Sequence, residues 1–122
     1  MTSYRELIHE IRTTGEEWAR KRRELAALQN RRKALHIALR DRALREAAAR
    51  GEKLSITAAA EDARAHPEYI ACLDEIALKQ FEADLAEVAY TAARALFQAM
   101  IAEQGGAARF LDNADPLGRS AA

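Results

Sequence analysis

A chain of 122 residues has the length of a single domain, which excludes a multidomain protein. The apolar fraction is 49%, but only 6% of the residues are aromatic, and an apolar fraction rich in Ala and Leu beside Glu and Arg is typical of long helices. The net charge of zero hides an asymmetry, because residues 1–50 hold 13 basic and 7 acidic residues whereas residues 51–122 hold 6 and 12.

The first half of the chain has the heptad pattern of one long helix. If Tyr4 takes position a, eight of the twelve a and d positions are apolar or aromatic, which predicts a narrow stripe along one side. These positions are Tyr4, Leu7, Ile11, Thr14, Trp18, Lys21, Leu25, Leu28, Arg32, Leu35, Leu39 and Arg42. We expect helix one over about 3–50, with Gly15 as a point where it could bend or begin anew and Gly51 as the residue that ends it.

The connection over residues 51–66 is predicted to contain a short elbow helix. Ser55 or Thr57 could cap its N-terminus, and Pro67 suits the first turn of the next helix. From Pro67 onward apolar residues recur at intervals of three and four, which predicts a second long helix over about 67–104. These residues are Tyr69, Leu73, Ile76 or Ala77, Phe81, Leu85, Val88, Ala92, Leu96 and Met100.

Gly105 and Gly106 are expected to end the second helix, so that residues 105–122 form a mobile tail. The predicted fold class is therefore all-α. Two long antiparallel helices form a coiled-coil-like helical hairpin over residues 1–104, with the short elbow helix between them. Self-association would add burial that each helix, with one apolar stripe, lacks on its own.

The sequence carries none of the features that we associate with export, membrane insertion or catalysis. Cys72 is the single cysteine, so no intramolecular disulfide forms, and we expect a buried thiol in a cytoplasmic protein. The N-terminus lacks a signal-peptide pattern, and no stretch reaches the length of a membrane span. His9, His36 and His66 are far apart in the sequence, and no common catalytic or nucleotide-binding motif occurs. We expect a non-enzyme without metal or cofactor.

The strongest functional signal is the basic segment, which we define as residues 20–50, with 11 basic and 3 acidic residues. Its first two basic clusters, residues 20–23 and 31–33, lie eleven residues apart in the sequence. Eleven residues are close to three helical turns, so the two clusters partly share a helix face. Such a stripe attracts a phosphate backbone. The candidate nucleic-acid-binding residues are Arg20, Lys21, Arg22, Arg23, Arg31, Arg32, Lys33, Arg40, Arg42 and Arg45. The alternative is a solvated face, or one paired with the acidic second helix.

Aromatic residues for base stacking are nearly absent from this segment. Trp18 lies at its start, but its a position favours a role in the helix–helix contact. Because no groove-reading motif is present, binding would be electrostatic, tolerant of sequence and suited to flexible single strands.

The order of these features resembles the phage recombination mediators of the UvsY family. The resemblance covers about residues 16–102. The elements that carry it are Trp18 at the opening of a basic helix, the run 38–44 before Arg50-Gly51, then Lys53-Leu54-Ser55, Ala60-Glu61 and Pro67-Glu68-Tyr69.

The resemblance implies an α-helical protein that forms ring-like homo-oligomers and binds single-stranded DNA without sequence preference. It also implies partners, namely a RecA-like recombinase that the protein helps to load and the single-strand-binding protein that is displaced. Arg40 and Arg42 occupy the stretch in which that family has a DNA-binding basic pair. Two other classes stay open: a helical interaction module or inhibitor, such as a phage anti-defence protein, and a structural coiled-coil assembly protein.

Overall fold

The computed structural model describes residues 3–113, and the side chains of residues 3–105. It contains three helices: α1 (Tyr4–Ala49), α2 (Ile56–Ala65) and α3 (Pro67–Asn113). The predicted fold class is confirmed, because α1 and α3 pack against each other and the short α2 lies between them in the chain. No strand occurs within the described range.

The ends of the helices follow local signals that were visible in the sequence. Gly51 has a positive φ of 72° just past the end of α1, a backbone conformation that glycine adopts without steric cost. The Ser55 hydroxyl accepts a hydrogen bond of 3.0 Å from the Ala58 amide and caps α2. Pro67 is the first residue of α3. The predicted bounds of helix one, the elbow and the start of helix two are thus confirmed to within about a residue.

The predicted end of the second helix was wrong. Helix α3 continues through Gly105 and Gly106 to Asn113. Each glycine costs a helix about 1 kcal/mol relative to alanine, but the long helix before them and the alanines at 107 and 108 maintain the backbone hydrogen bonding. Of the predicted mobile tail over 105–122, residues up to 113 are helical, and the remainder lies outside the described residues.

The backbone contacts divide the chain into two compact units, and each unit contains part of α1 and part of α3. One unit comprises the chain up to Glu17 together with the chain from Ala86 onward, and the other comprises Trp18–Leu85. We call them the terminal unit and the central unit. The expectation of a single domain stays a prediction.

In the central unit the core lies where all three helices meet. Leu39 of α1, Ala63 of α2 and Tyr69 of α3 are buried together, and Leu35 packs against them. In the terminal unit Leu7 is fully buried, and the rings of Tyr4 and Phe97 meet edge to face with centroids 5.8 Å apart. The heptad prediction for α1 is confirmed, since all of its twelve a and d positions except Arg42 are buried or half-buried.

Helix α1 is continuous through Gly15, the residue at which a bend had been expected. A Cβ placed on Gly15 would lie 3.1 Å from Cε2 of Tyr90, so the absent side chain makes room for an aromatic ring of α3. This glycine therefore serves the helix–helix contact and does not interrupt the helix.

The stripe predicted for α3 was wrong over much of its length. The residues of α3 that are buried or half-buried against α1 include Cys72, Ala83, Ala86 and Ala93. Phe81, Leu85, Val88 and Leu96, which were expected to be buried, are instead exposed. The physical reason is size, because alanines let two helix axes approach closely, whereas the larger side chains are accommodated on the opposite side of α3.

Candidate nucleic-acid interface

All ten predicted nucleic-acid-binding residues lie on α1 and within the central unit. They do not form one uniform face. Lys21 and Arg32 are half-buried at a and d positions, Arg40 is also half-buried, and the other seven are exposed. Helical geometry explains the spread, because three or four consecutive basic residues cover most of a turn at 100° per residue.

Three of the ten cations pair with carboxylates of α1 itself. Arg20 lies 3.0 Å from Glu24, Arg40 lies 3.2 Å from Asp41, and the Arg42–Glu46 distance is 3.8 Å. Such pairs at the surface of one helix contribute little free energy, and they are weakened by salt. Exchange of these carboxylates for another anion would therefore cost little free energy.

Arg42 also contacts the elbow. Its Nη2 atom lies 2.9 Å from Nε2 of His66, the residue that ends α2. This contact connects the basic segment to α2. It also gives Arg42, one of the two arginines implied by the family resemblance, a partner within the protein.

Two cations of the ten pair with α3. Lys21 donates a hydrogen bond of 2.9 Å to Glu82, whereas the exposed Arg31 lies 3.9 Å from Glu75. The Lys21–Glu82 pair belongs to a network, since Lys79 of α3 contacts Glu24 at 2.7 Å and Glu82 at 2.9 Å. Two lysines and two glutamates alternate here at the contact between α1 and α3, with only 17% of the Lys21 side chain exposed.

The network shifts the ionisation of its members in the stabilising direction. The hydrogen bond from Lys79 holds the pKa of Glu24 below its ordinary value, and the hydrogen bond from Lys21 does the same for the pKa of Glu82. The hydrogen bond to Glu24 raises the pKa of Lys79. Glu24, Glu82 and Lys79 are therefore charged at neutral pH, and the hydrogen bond to Glu82 commits Lys21 to the fold.

Arg22 is held by an aromatic ring. Its guanidinium carbon lies 4.2 Å from the centroid of Trp18, a cation–π distance. Trp18 itself is half-buried at its a position. Half-burial agrees with the predicted packing role of Trp18, and the same ring also contacts Arg22 of the basic segment.

Five of the ten predicted residues have no carboxylate within 4.0 Å in the described part of the chain: Arg22, Arg23, Arg32, Lys33 and Arg45. Among the described side chains, the expectation that the acidic second helix pairs with the basic segment is met at Lys21 and Arg31. Because residues 20–50 carry a formal charge of +8, from 11 basic and 3 acidic residues, most of this charge is not compensated by α3.

Two of the unpaired cations line a cleft in which α1, α2 and the start of α3 meet. We call it the elbow cleft. Its volume is about 400 Å³, and it is lined by Arg32, Lys33, His36, Ile37, Arg64 and Tyr69. The lining holds three cations and no carboxylate. Arg64, contributed by α2, also makes no ion pair with any described residue.

His36 lines the cleft and has an unsatisfied polar atom. Its Nε2 is buried and, within the described residues, has no hydrogen-bond partner. The ring of Tyr69 lies beside it, with centroids 5.7 Å apart and a tilt of 57°. A buried ring nitrogen without a partner is uncommon in proteins, because each such group costs free energy unless something binds it.

A second, smaller cleft beside the elbow has the opposite chemistry. It measures about 180 Å³ and contains Arg42 and His66, but also the carboxylates Glu46 and Asp62. The comparison shows that the absence of carboxylates from the elbow cleft is not a general property of the surface near α2.

The sequence did not identify the elbow cleft. The only role that the sequence suggested for His36 was that of a metal ligand, and Arg64 lies outside the basic segment. The one available signal was the predicted elbow, since a short helix folded back on two long ones brings residues from three segments together. Tyr69 was predicted as a core residue, and its burial confirms that.

The outer face of α3 in the central unit is apolar and uncovered. We define it by Ile70, Leu73, Leu78, Phe81 and Leu85. Leu78 and Phe81 are each 61% exposed, and Leu85 is 55% exposed. Contiguous large apolar side chains of this kind mark interaction surfaces more often than isolated ones do.

No group of histidine, cysteine or acidic side chains suited to a metal ion occurs among the described residues. None of the helices, over the part of the chain that the structure describes, is long and apolar enough to cross a membrane. Cys72 is buried, as predicted.

The fold and site define a class, an all-α helical-hairpin protein with an uncompensated basic segment on its first long helix. Comparisons with family models, curated proteins and solved structures found no match to the chain.

Proposed function

We propose that this protein is a non-enzymatic, single-stranded-DNA-binding accessory protein and that the basic segment of α1 contacts the strand. The observation that carries the proposal is the charge of the basic segment. This segment has a formal charge of +8, and the ion pairs that the described side chains of α3 make with the ten predicted residues are those of Lys21 and Arg31. A surface with such an excess of cations binds polyanions by releasing their condensed counterions.

The preference for a single strand follows from the contacts that α1 can make. Arginine and lysine side chains leave α1 in several directions, and a flexible strand can follow them whereas a rigid duplex presents its phosphates on a fixed spiral. Arg22 stacked on Trp18 adds a planar cation beside an aromatic ring, a surface on which a base can stack. Sequence preference is not expected.

Assistance to a RecA-like recombinase, in exchange with a single-strand-binding protein, is the part of the proposal that rests on the resemblance to the UvsY family. Binding of DNA does not depend on it. In the cell such a protein would act in phage recombination or replication, in the cytoplasm, without a cofactor.

Fluorescence anisotropy with a labelled oligothymidylate over a salt series tests the DNA-binding proposal. We expect the logarithm of the association constant to fall linearly with the logarithm of the salt concentration, with a slope of about −0.7 for each phosphate contacted. Absence of binding at low salt contradicts the proposal.

Two triple variants locate the contacts. Arg23→Gln, Lys33→Gln and Arg45→Gln together remove three unpaired cations of the basic segment, whereas Arg5→Gln, Arg12→Gln and Lys53→Gln remove three exposed cations elsewhere. Both triples lower the net charge by three, so the difference between them reports position alone. The first triple should reduce the slope by about 2, and the second should leave it nearly unchanged. Equal effects would mean that the basic segment has no special role.

A second candidate function, protein–protein interaction, is favoured by the outer face of α3. The occupant that we assign to it is α1 of a second copy of this chain. Asp74 and Asp84 lie beside the apolar side chains of that face, and the exposed side of α1 offers Ala26, Ala34 and Ile37 among basic residues. Large side chains meet small ones, and acidic residues meet basic ones, which is the complementarity that a head-to-tail contact between copies requires.

Such a contact would cover part of the basic segment, so self-association and DNA binding would compete. Sedimentation velocity at increasing protein concentration should show oligomers that Phe81→Glu prevents and that the oligothymidylate dissociates. Gln98→Glu, at an exposed residue of α3 outside that face, is the matched control for the added charge. A monomer at all concentrations contradicts this candidate. Association of Phe81→Glu equal to that of the control contradicts the assigned surface.

A further inference from the structure

The elbow cleft combines features that together specify a small anionic ligand. Three cations, Arg32, Lys33 and Arg64, line about 400 Å³ of space without a carboxylate among the lining residues. They come from two helices, so the cleft exists only when α2 is folded against α1. We infer that this cleft binds one phosphate group, and that in the DNA complex it anchors a phosphate of the strand.

The three cations differ in how they can serve an anion. Arg32 is half-buried at an a position, so its side chain is restricted by the fold and partly shielded from water. Arg64 and Lys33 are exposed and approach from different helices. A guanidinium group presents a planar pair of donors that matches two oxygens of a phosphate, and a lysine adds a compact third charge. A single phosphate thus satisfies all three side chains at once.

His36 supplies the second, independent observation. Its buried Nε2 has no partner within the described residues. The His36 side chain lines the same cleft as the three cations, so a bound anion would change the electrostatic surroundings of this ring. The cation cluster explains the attraction of an anion, and the ring reports its presence.

Ile37 and Tyr69 limit what else can bind. They form an apolar wall, and Tyr69 is nearly fully buried, which narrows the cleft on that side. A carboxylate side chain of another protein would offer the three cations oxygens that lie in one plane, whereas the oxygens of a phosphate group are arranged tetrahedrally and can face side chains that approach from two helices. The geometry therefore favours phosphate over carboxylate.

This inference deepens the proposed function and, for its DNA part, rests on it. It adds that Arg64, which lies outside the basic segment, acts with α1 in binding the strand, and that α2 is part of the interface. The phosphate can be an internal phosphodiester or a terminal phosphate of the strand, since both present anionic oxygens bonded to a tetrahedral phosphorus atom.

The first experiment compares Arg64→Gln with Lys53→Gln in oligothymidylate binding. Both variants remove one unpaired cation outside α1, but only Arg64 lines the cleft. We expect Arg64→Gln to weaken binding about tenfold, the effect of losing one charge-assisted hydrogen bond, and Lys53→Gln to weaken it less than about twofold. Equal affinities of the two variants, with wild-type binding intact, overturn the inference and leave the proposed function standing.

Oligonucleotides with and without a 5′ phosphate show whether the cleft holds a terminal phosphate or an internal phosphodiester. If the terminal phosphate occupies the cleft, the phosphorylated strand binds more tightly, and Arg64→Gln abolishes that advantage. If an internal phosphodiester occupies it, both strands bind equally and Arg64→Gln weakens both by the same factor.

The second experiment uses inorganic phosphate alone and is independent of DNA binding. Addition of phosphate should shift the NMR signals of the His36 ring in the wild-type protein, with chloride at equal ionic strength as the reference. Arg64→Gln should abolish the shift, whereas Lys53→Gln should not. A phosphate-dependent shift in a protein that binds no DNA would retain the phosphate site and remove the proposed function. No shift with phosphate overturns the phosphate site itself.

Discussion

Gly15 of α1 lies directly against the ring of Tyr90 of α3. A Cβ at position 15 would meet Cε2 of that ring at 3.1 Å and Cδ2 at 3.4 Å, closer than van der Waals contact between carbons of about 3.5 to 4.0 Å. The Arg94 guanidinium carbon also lies 5.6 Å from the centroid of this ring. Tyr90 thus has neighbours on both long helices, Gly15 on α1 and Arg94 on α3.

We predict that Gly15→Ala does not give the stabilisation of about 1 kcal/mol that this substitution normally brings inside a helix. The gain in helix propensity is offset by displacement of the Tyr90 ring. Gly105→Ala is the control, since no atom lies within 4 Å of a Cβ at that position, and it should realise much of the gain. Urea denaturation measures both. In a Tyr90→Ala background Gly15→Ala should become stabilising, and the absence of such coupling would contradict the contact.

The contact between α1 and α3 in the central unit gives a second prediction, about two neighbouring positions of α3. Ala83 is 3% exposed, whereas Leu85 is 55% exposed. Ala83→Leu should destabilise the protein by about 1 to 3 kcal/mol, because three added carbons must fit between closely packed helices. Leu85→Ala should cost less than about 1 kcal/mol, since little packing is lost at an exposed site. The heptad pattern read from the sequence predicts the reverse order of these costs.

These two positions show how far the sequence determined the fold. In α1 the large apolar residues recur at heptad spacing and face α3, so the stripe read from the sequence is the buried one. In α3 the alanines at 83, 86 and 93 are buried or half-buried, whereas Phe81, Leu85 and Val88 are exposed. Ranking residues by hydrophobicity selects the larger ones. The choice between two stripes on one helix depends on how closely the partner helix approaches, and that is a tertiary property.

The candidate site was predictable to a similar extent. The basic segment and its location on α1 follow from sequence alone. The sequence does not show which of these cations pair with carboxylates, because Lys21 and Arg23 differ only in the direction in which they leave the helix axis. The elbow cleft required α2 to bring Arg64 beside Arg32, a juxtaposition between residues 32 positions apart that no local pattern encodes.

Acid should weaken the contact between α1 and α3 through Glu24 and Glu82. Both have a pKa lowered by lysine hydrogen bonds in the folded state, so the unfolded chain binds protons more readily than the folded one. Their contribution to stability is fully present above the pKa of an unfolded glutamate, about 4.3, and is lost as the pH falls through the folded pKa values. The urea midpoint should therefore decrease steadily below about pH 4.3.

The double variant Glu24→Gln, Glu82→Gln should have a lower urea midpoint at neutral pH and a flatter dependence on pH in the acid range. Glu75→Gln is the control, because that carboxylate is exposed and lies 3.9 Å from Arg31, and it should keep the slope of the wild-type protein. If the double variant loses stability in acid as steeply as the wild-type protein does, other groups dominate the acid transition.

We predict that Lys21 has a structural role and that Arg23 binds DNA. They lie two residues apart on α1, and replacing either with glutamine removes one positive charge. Lys21 donates its hydrogen bond to Glu82, so Lys21→Gln leaves that carboxylate with Lys79 as its remaining partner within the network and should lower the urea midpoint. Arg23 is exposed without an ion pair, and Arg23→Gln should change the free energy of unfolding by less than about 0.5 kcal/mol.

The order of the two variants should be reversed in DNA binding. Arg23→Gln should reduce the slope of the salt dependence by about 0.7, the value of one contact with a single-strand phosphate. Lys21→Gln should leave the slope unchanged under conditions in which the protein is folded, because the ammonium group of Lys21 is directed to Glu82. Anisotropy titrations of both variants at four salt concentrations make the comparison. A loss of slope for Lys21→Gln equal to that for Arg23→Gln would mean that the ion pair with α3 does not decide which cations of α1 are available to the strand.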